Sequence, residues 1–222
     1  MRSELFAKQH QEQELNQRWT MQSSRMVRGV VTPQEPMIAT KGAMVAYQGN
    51  VNFKHQGSTS VGQFMKKAAT GEGGQLMRVE GHGEIFFARM AANIFMMQLE
   101  GPHDALTVNT TSMLAFDASL RWDIQPLRGI GALTSGSGLF NLELSGHGTA
   151  AICAQGQPMV LDCSRTPTFV DPQAAVCWSA NLAPDIHTDV TLGSFFGRGS
   201  GEGIQMRFHG PGFVVVQPAE TP

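Results

Sequence analysis

The chain has 222 residues and a formal net charge of −2, with 16 lysine and arginine residues against 18 acidic residues. This balance argues against a protein that neutralises many phosphates at once, so nucleic acid is not an expected partner. Hydrophobic residues make up 41% of the sequence, but no stretch approaches the roughly 18 consecutive apolar residues of a transmembrane helix, so no transmembrane segment is expected.

The first part of the chain, residues 1–19, is predicted to be a loosely ordered arm. It is rich in Gln and Glu, and its apolar residues are too sparse for a packed helix. It also lacks the charged-then-apolar layout of a secretory signal, so export is not expected. We predict a single composite domain over residues 20–218, followed by a short tail at 219–222.

A glycine motif recurs in this domain at a nearly constant interval. Its copies, Gly81-His82-Gly83, Gly146-His147-Gly148 and Gly210-Pro211-Gly212, end on glycines that are spaced by 65 and 64 residues. A fixed period of this kind indicates duplication, so we predict three tandem repeats. Their approximate bounds are 20–90, 91–156 and 157–218. Repeats of roughly 65 residues are near the lower limit for an independent core, so the three are expected to share one.

Each motif is predicted to be the structural turn of a β-hairpin. Apolar residues alternate with polar ones before each motif, and an apolar run follows it. Glycine enters turn conformations without steric cost. The predicted turn residues are Gly81, Gly83, Gly146, Gly148, Gly210 and Gly212. A positive φ is expected in at least two of Gly83, Gly148 and Gly212.

One short helix is predicted over residues 61–69. Val61, Met65 and Ala69 lie on one helical face, and Gly71 is available to end the helix. The rest of the domain consists of short apolar segments between polar or glycine-rich connections. The predicted fold class is therefore all-β.

No catalytic, cofactor-binding or metal-binding residue is predicted. His82 and His147 suggest a metal site, but Pro211 replaces histidine in the third motif, so the motifs cannot build a symmetric three-histidine site. The glycine-rich segment at 71–74 precedes a strand rather than a helix, which argues against a phosphate-binding loop.

The three cysteines, Cys153, Cys163 and Cys177, lie in strand-like apolar segments and have no CxxC spacing. An odd number of cysteines without a disulfide framework is typical of a reducing compartment. We therefore predict a cytoplasmic protein, in which buried cysteine behaves as a small apolar residue.

The segment around Phe195 and Phe196 is predicted to be an interaction surface, together with Arg198. Two adjacent aromatic residues in a glycine-rich loop are hard to bury on one face of a strand, and exposed apolar patches often mark binding sites. The alternative, equally open from the sequence, is that Phe195 fills the end of the fold while Phe196 packs on a neighbouring repeat.

In combination, several segments resemble the bacterial branch of the altered-inheritance-of-mitochondria (mitochondrial biogenesis) family. These segments lie at 42–49, 70–73, 136–138, 201–203 and 208–218. The resemblance covers roughly residues 18–218. It implies a fold similar to the tryptophan RNA-binding attenuator protein, a short double-stranded β-helix or sandwich in three copies with pseudo-threefold symmetry. It implies no catalytic residue.

Three classes of function follow from these features. The first is a non-catalytic scaffold or binding protein that presents rigid β surfaces to a protein partner, to itself or to a membrane face. The second is a small-ligand or metal-dependent binder or enzyme that uses a pocket between repeats. The third, RNA binding, rests on fold analogy alone and runs against the net charge. We favour the first, with no enzymatic activity.

Overall fold

The computed structural model describes residues 3–13, 17–55, 76–126, 140–187 and 205–219. Within these ranges the chain forms fifteen β-strands, two short 3-10 helices (Glu4–Phe6 and Lys8–His10) and no α-helix. The strands are β1 (Trp19–Ser23), β2 (Met26–Val31), β3 (Met37–Thr40), β4 (Met44–His55), β5 (Leu76–Phe87), β6 (Asn93–Asn109), β7 (Met113–Asp117), β8 (Arg121–Pro126), β9 (Phe140–Ala154), β10 (Met159–Asp162), β11 (Thr168–Val170), β12 (Ala175–Ser179), β13 (Asp185–His187), β14 (Gln205–Phe208) and β15 (Phe213–Val216). The all-β prediction is confirmed, and the predicted helix at 61–69 lies outside the described residues.

The strands form one large and one small antiparallel sheet. The order along the large sheet is β1-β2-β5-β3-β7-β9-β6-β12-β15-β10, with β4 added to β5 and β8 added to β9. The small sheet has the order β11-β14-β13. Most neighbours in these orders are distant in sequence, so the fold depends on long-range pairing.

The first two glycine motifs lie inside long strands that change partner at the glycines. On one edge, β5 pairs with β3 before the motif and with β2 after it, while β4 pairs with its other edge throughout. In the same way, β9 pairs with β8 before its motif and with β7 after it, while β6 follows its other edge. In both cases, one edge of a long strand therefore pairs with one neighbour before the motif and with a different neighbour after it.

The third glycine motif separates two strands. Before it, β14 pairs with β11 and β13; after it, β15 pairs with β10 and β12. The two strands do not pair with each other and belong to different sheets. A gap of four residues thus stands where β5 and β9 run on without interruption.

The prediction that the motifs are hairpin turns is therefore wrong. Gly81 and Gly83 lie within β5, Gly146 and Gly148 lie within β9, and Gly210 and Gly212 lie between strands that do not pair. The alternation of apolar residues on both sides of a motif is shared by a hairpin and by a strand that bends from one set of neighbours to another.

The φ prediction is confirmed, with values of 159° at Gly148 and 151° at Gly212. Gly83 is required for a different reason. A Cβ at this position would lie 2.2 Å from the backbone oxygen of Gln48, so only glycine lets β4 approach so closely.

A second feature recurs in the strands that pair with the segment after each motif. The register shifts between Met44 and Ala46 in β4, between Met113 and Ala115 in β7, and between Ala175 and Cys177 in β12. Such irregularities increase local twist. Their position relative to the glycine motif is the same in all three places.

Three clusters of buried side chains form the core. The first crosses the boundary at 90–91, the second crosses those at 90–91 and 156–157, and the third lies in the last part of the chain. The first contains Trp19 and Phe87, the second Phe116 and Leu144, and the third Trp178 and Phe208. The second cluster also includes Ile38, Leu76 and Val215, which come from the other two parts of the chain. Packing therefore joins the three parts of the chain to one another.

Candidate interaction surface

The predicted interaction residues Phe195, Phe196 and Arg198 lie outside the described residues, so that surface stays a prediction. The middle residues of the three glycine motifs, His82, His147 and Pro211, are all exposed. Among the described residues, no group of three or more His, Cys, Asp or Glu side chains could hold a metal ion.

The three cysteines are free and buried. Burial raises the pKa of the Cys153 thiol, and it raises the pKa of Cys177 to about 12. A thiol held in its protonated form is a poor nucleophile. Cys153 and Cys177 are therefore placed as apolar core residues, which agrees with the interpretation of the sequence.

A buried polar cluster, which we call the Asp117 cluster, joins the start of β1 to the end of β7. Arg18 Nε and Trp19 Nε1 donate to Asp117 Oδ1 over 2.8 and 3.0 Å, and the backbone N–H of Thr149 donates to Oδ2 over 2.8 Å. Arg18 also donates to the backbone oxygens of Val30, Glu35 and Pro36. Because both oxygens of the carboxylate already accept hydrogen bonds, the cluster is suited to holding strands together rather than to proton transfer.

Two strand pairings connect successive parts of the chain, and we call them the internal seams. In the first seam β3 pairs with β7, with Ile38 opposite Phe116. In the second seam the last residues of β6 pair with β12, with Thr107 opposite Trp178. Ile38, Phe116 and Trp178 are all at most 2% exposed, so both seams are buried.

One strand edge matches the partners of these seams but is not paired among the described residues. It is the outer edge of β4 over residues 44–48, because β4 carries the same register shift as β7 and β12. We call it the β4 edge.

The β4 edge exposes large apolar side chains. Val45 and Tyr47 are 52% and 49% exposed. The Tyr47 ring packs edge-on against Phe53, with ring centroids 5.4 Å apart. At the end of the β4 edge, Gln48 Nε2 donates to Glu12 Oε2 over 3.1 Å, which brings the N-terminal segment close to it.

Sequence reasoning missed the β4 edge and the Asp117 cluster. Tyr47 lies in an apolar segment that predicts a strand, and nothing local indicates that one edge of this strand is left without a neighbour. Arg18 and Asp117 are 99 residues apart in the chain. The one local signal for the cluster is an acidic residue at the end of the apolar run 113–117.

None of the helices in the described ranges is long and apolar enough to cross a membrane. This agrees with the absence of a sufficiently long apolar stretch from the sequence. The 3-10 helices near the N-terminus have three residues each.

Comparison with solved structures shows that the fold is shared. The X-ray crystal structure of protein SPYM3_0169 from Streptococcus pyogenes is similar to this chain, with a TM-score of 0.71 and 21% sequence identity. The match covers 91% of this chain and 92% of that one, so nearly the whole architecture is common to both.

No curated protein matches the sequence. A family model does match, over residues 18–219, and its description is mitochondrial biogenesis AIM24. These are nearly the same residues that carry the resemblance seen in the sequence. The chain therefore belongs to the mitochondrial biogenesis AIM24 family.

Proposed function

We propose that this protein is a non-catalytic binding or scaffold protein that presents an exposed strand edge to another protein chain. The observation that carries the proposal is the exposure of Tyr47 on the β4 edge, because its counterparts in the internal seams, Phe116 and Trp178, are covered by a neighbouring strand. An unpaired edge offers main-chain N–H and C=O groups in a regular row. It is therefore a ready template for pairing with a further strand.

The side chains of the β4 edge support the same conclusion. Natural edge strands are commonly protected by lysine, proline or inward-pointing charges. Residues 44–48 contain no charged residue and no proline. Pairing through the main chain, with specificity from alternate side chains, is an established mode of protein recognition.

The experiment is affinity capture from the native cell with three versions of the protein: wild type, Tyr47→Lys and Met90→Lys. Met90 is the matched control, because it is an apolar residue that is 86% exposed and lies in the turn after β5, outside residues 44–48. We expect a protein, including the chain itself, to be retained by wild type and by the control but lost by Tyr47→Lys. Identical capture by all three folded proteins would contradict the role of the β4 edge.

We further propose that residues 26–87, 93–154 and 159–216 are copies of one structural unit. The recurrence of the pairing order around each glycine motif supports this, and so does the recurrence of the register shift. The measurement is a pairwise superposition, which should align Ala46 with Ala115 and Cys177. An alignment that required a different register would contradict the duplication.

The pseudo-threefold relation among these units stays a prediction. A closed threefold arrangement would pair β11 with the β4 edge of the same chain. This pairing is not among those formed by the described residues.

We also propose a cytoplasmic location. The three free buried cysteines support it, since free thiols are typical of a reducing compartment. Fractionation of native cells tests this, and recovery of the protein in an exported fraction would refute it.

A further inference from the structure

We propose that the outer edge of β10 binds an extended segment of another protein chain, in which a basic residue is followed by three apolar residues. We call this surface the β10 edge. It is separate from the β4 edge, so the proposal goes beyond the proposed function and is tested independently of it. β10 is the last strand in the order of the large sheet and pairs only with β15 among the described residues. The strand β1, at the other end of that order, supplies the template for the bound segment.

β10 occupies the same place beside the third glycine motif as β2 does beside the first. The residue four positions after the last glycine of the motif pairs with Val27 in β2 and with Met159 in β10. The residue three positions after that glycine pairs with Arg28 in β2 and with Val160 in β10. Met159 and Val160 therefore correspond to Val27 and Arg28.

The two strands differ in what covers them. β1 pairs with the outer edge of β2, and Val27 and Arg28 are 0% and 3% exposed. No described strand pairs with the outer edge of β10, and Met159 and Val160 are 58% and 65% exposed. Because the two pairs of residues stand at the same place relative to their motifs, a strand in the position of β1 would cover the apolar surface that β10 leaves in water.

The charge at the end of β10 indicates the first residue of the bound segment. Arg18 lies directly before β1 and beside Val30, whose N–H donates to the Arg18 backbone oxygen over 2.8 Å. The residue of β10 that corresponds to Val30 is Asp162, which is exposed. Hydrogen bonds from Ser164 lower the pKa of the Asp162 carboxyl, so this group is ionised at neutral pH. A basic residue in the position of Arg18 would therefore face a carboxylate.

The remaining positions of the template indicate apolar residues. Trp19 and Met21 of β1 pack on the first core cluster, and Thr20 between them lies opposite Arg28. Val160 stands in the place of Arg28, so an apolar residue fits there better than a hydroxyl. A β-branched residue is suited to a strand. The bound segment thus has the order basic, large apolar, β-branched apolar, large apolar.

The same charge distinguishes β10 from the comparable part of β6. Met96 corresponds to Val160 and is 38% exposed, and the outer edge of β6 is unpaired there among the described residues. Gln98 corresponds to Asp162, so this part of β6 lacks the carboxylate. Complementary charge therefore directs a basic segment to β10.

The main test uses a synthetic peptide built on the template. The peptide has the sequence of residues 17–23 with Thr20→Val, carries fluorescein at its N-terminus, and is titrated with folded protein while fluorescence anisotropy is measured. We expect saturable binding to wild type. Val160→Lys should bind roughly tenfold more weakly, because burial of one valine side chain is worth about that factor.

Val45→Lys is the matched control, because Val45 is a valine that is 52% exposed on the β4 edge. Both variants should keep the circular dichroism spectrum of wild type, and Val45→Lys should also keep its affinity for the peptide. The absence of saturable binding to wild type, or an equal loss in the two variants, would overturn the proposal. Neither result would decide the role of the β4 edge, which depends on the capture experiment with Tyr47→Lys.

A charge exchange tests the register of the pairing. Asp162→Arg should weaken binding of the peptide roughly fivefold, the upper range for one exposed ion pair. A second peptide, with glutamate in place of its arginine, should bind Asp162→Arg more tightly than it binds wild type. If the second peptide preferred wild type, or if neither peptide distinguished the two proteins, the pairing proposed for the β10 edge would be wrong.

Discussion

Removal of the Asp117 carboxylate is the sharpest test of what holds the N-terminal strand in place. The side chain is buried and accepts hydrogen bonds from Arg18, Trp19 and the backbone of Thr149. Asp117→Ala leaves the indole N–H of Trp19 and the backbone N–H of Thr149 without their acceptor. It also leaves the Arg18 guanidinium without its nearest carboxylate. Loss of one partner from a buried ion pair typically costs about 3–5 kcal/mol.

We expect the lower end of this range, about 3 kcal/mol, because Arg18 is 22% exposed and keeps three backbone oxygens as acceptors. Asp117→Asn should cost less, about 1–2 kcal/mol, since an amide oxygen still accepts hydrogen bonds but the charge is lost. The assay is the free energy of unfolding from urea denaturation, followed by circular dichroism.

Glu35→Ala is the matched control within the same group of residues. The Glu35 carboxylate lies 3.6 Å from Arg18, but its side chain is 59% exposed. Its removal should therefore cost less than about 1 kcal/mol. If Asp117→Ala lowered the free energy of unfolding no more than Glu35→Ala, the Asp117 cluster would not be what fixes β1 to β7.

Three further predictions test other parts of the structure. Gly81→Ala should lower the free energy of unfolding by about 2 kcal/mol or more, because the φ of Gly81 is 122° and an added Cβ would lie 2.2 Å from the backbone oxygen of Asn50. Gly101→Ala is the control: nothing lies within 4 Å of the added Cβ, so the same urea assay should show almost no change. Cys153 and Cys177 should resist a thiol reagent at mildly alkaline pH and react in urea, because burial raises the pKa of both; rapid labelling of either residue in the folded protein would contradict this. Replacement of both Phe195 and Phe196 by Ser should weaken partner capture or assembly without unfolding the protein, whereas unfolding would show that the two rings belong to the core.

The sequence was sufficient for the fold class and the family, because both depend on features that recur along the chain. Alternating apolar residues predicted strands, and the spacing of Gly83, Gly148 and Gly212 located three comparable points in the fold. The two-residue period persists wherever a strand keeps one face buried, so it could be recognised without knowing the neighbouring strands.

What the sequence could not provide was the identity of those neighbours. A hairpin and a bent strand share the pattern of apolar residues around glycine, and they differ only in what pairs with each half. In β5 and β9 the partner along the full length is β4 or β6, which lies many residues earlier in the chain. The prediction of hairpin turns failed because it assumed that the closest apolar segments pair with each other.

The same dependence on distant partners explains why the candidate surface escaped prediction. Tyr47, Phe116 and Trp178 all lie in apolar segments that predict buried strands, yet only Tyr47 is largely exposed. Phe116 and Trp178 are covered because β3 and β6 lie against their strands, and no described strand takes that place beside the β4 edge. The exposure of Tyr47 therefore depends on whether another strand lies beside β4, and not on the type of residue.

An open strand edge is not an unavoidable result of this architecture. At one end of the large sheet, β1 pairs with β2 over Trp19 to Ser23 and is fixed by the Asp117 cluster, so the chain itself covers the outer edge of β2. No described strand covers the β4 edge in the same way, although this edge is uncharged and exposes Val45 and Tyr47. A chain that covers one edge with a dedicated strand and leaves apolar side chains exposed along another has the features expected of a protein that pairs through the second edge with a further chain.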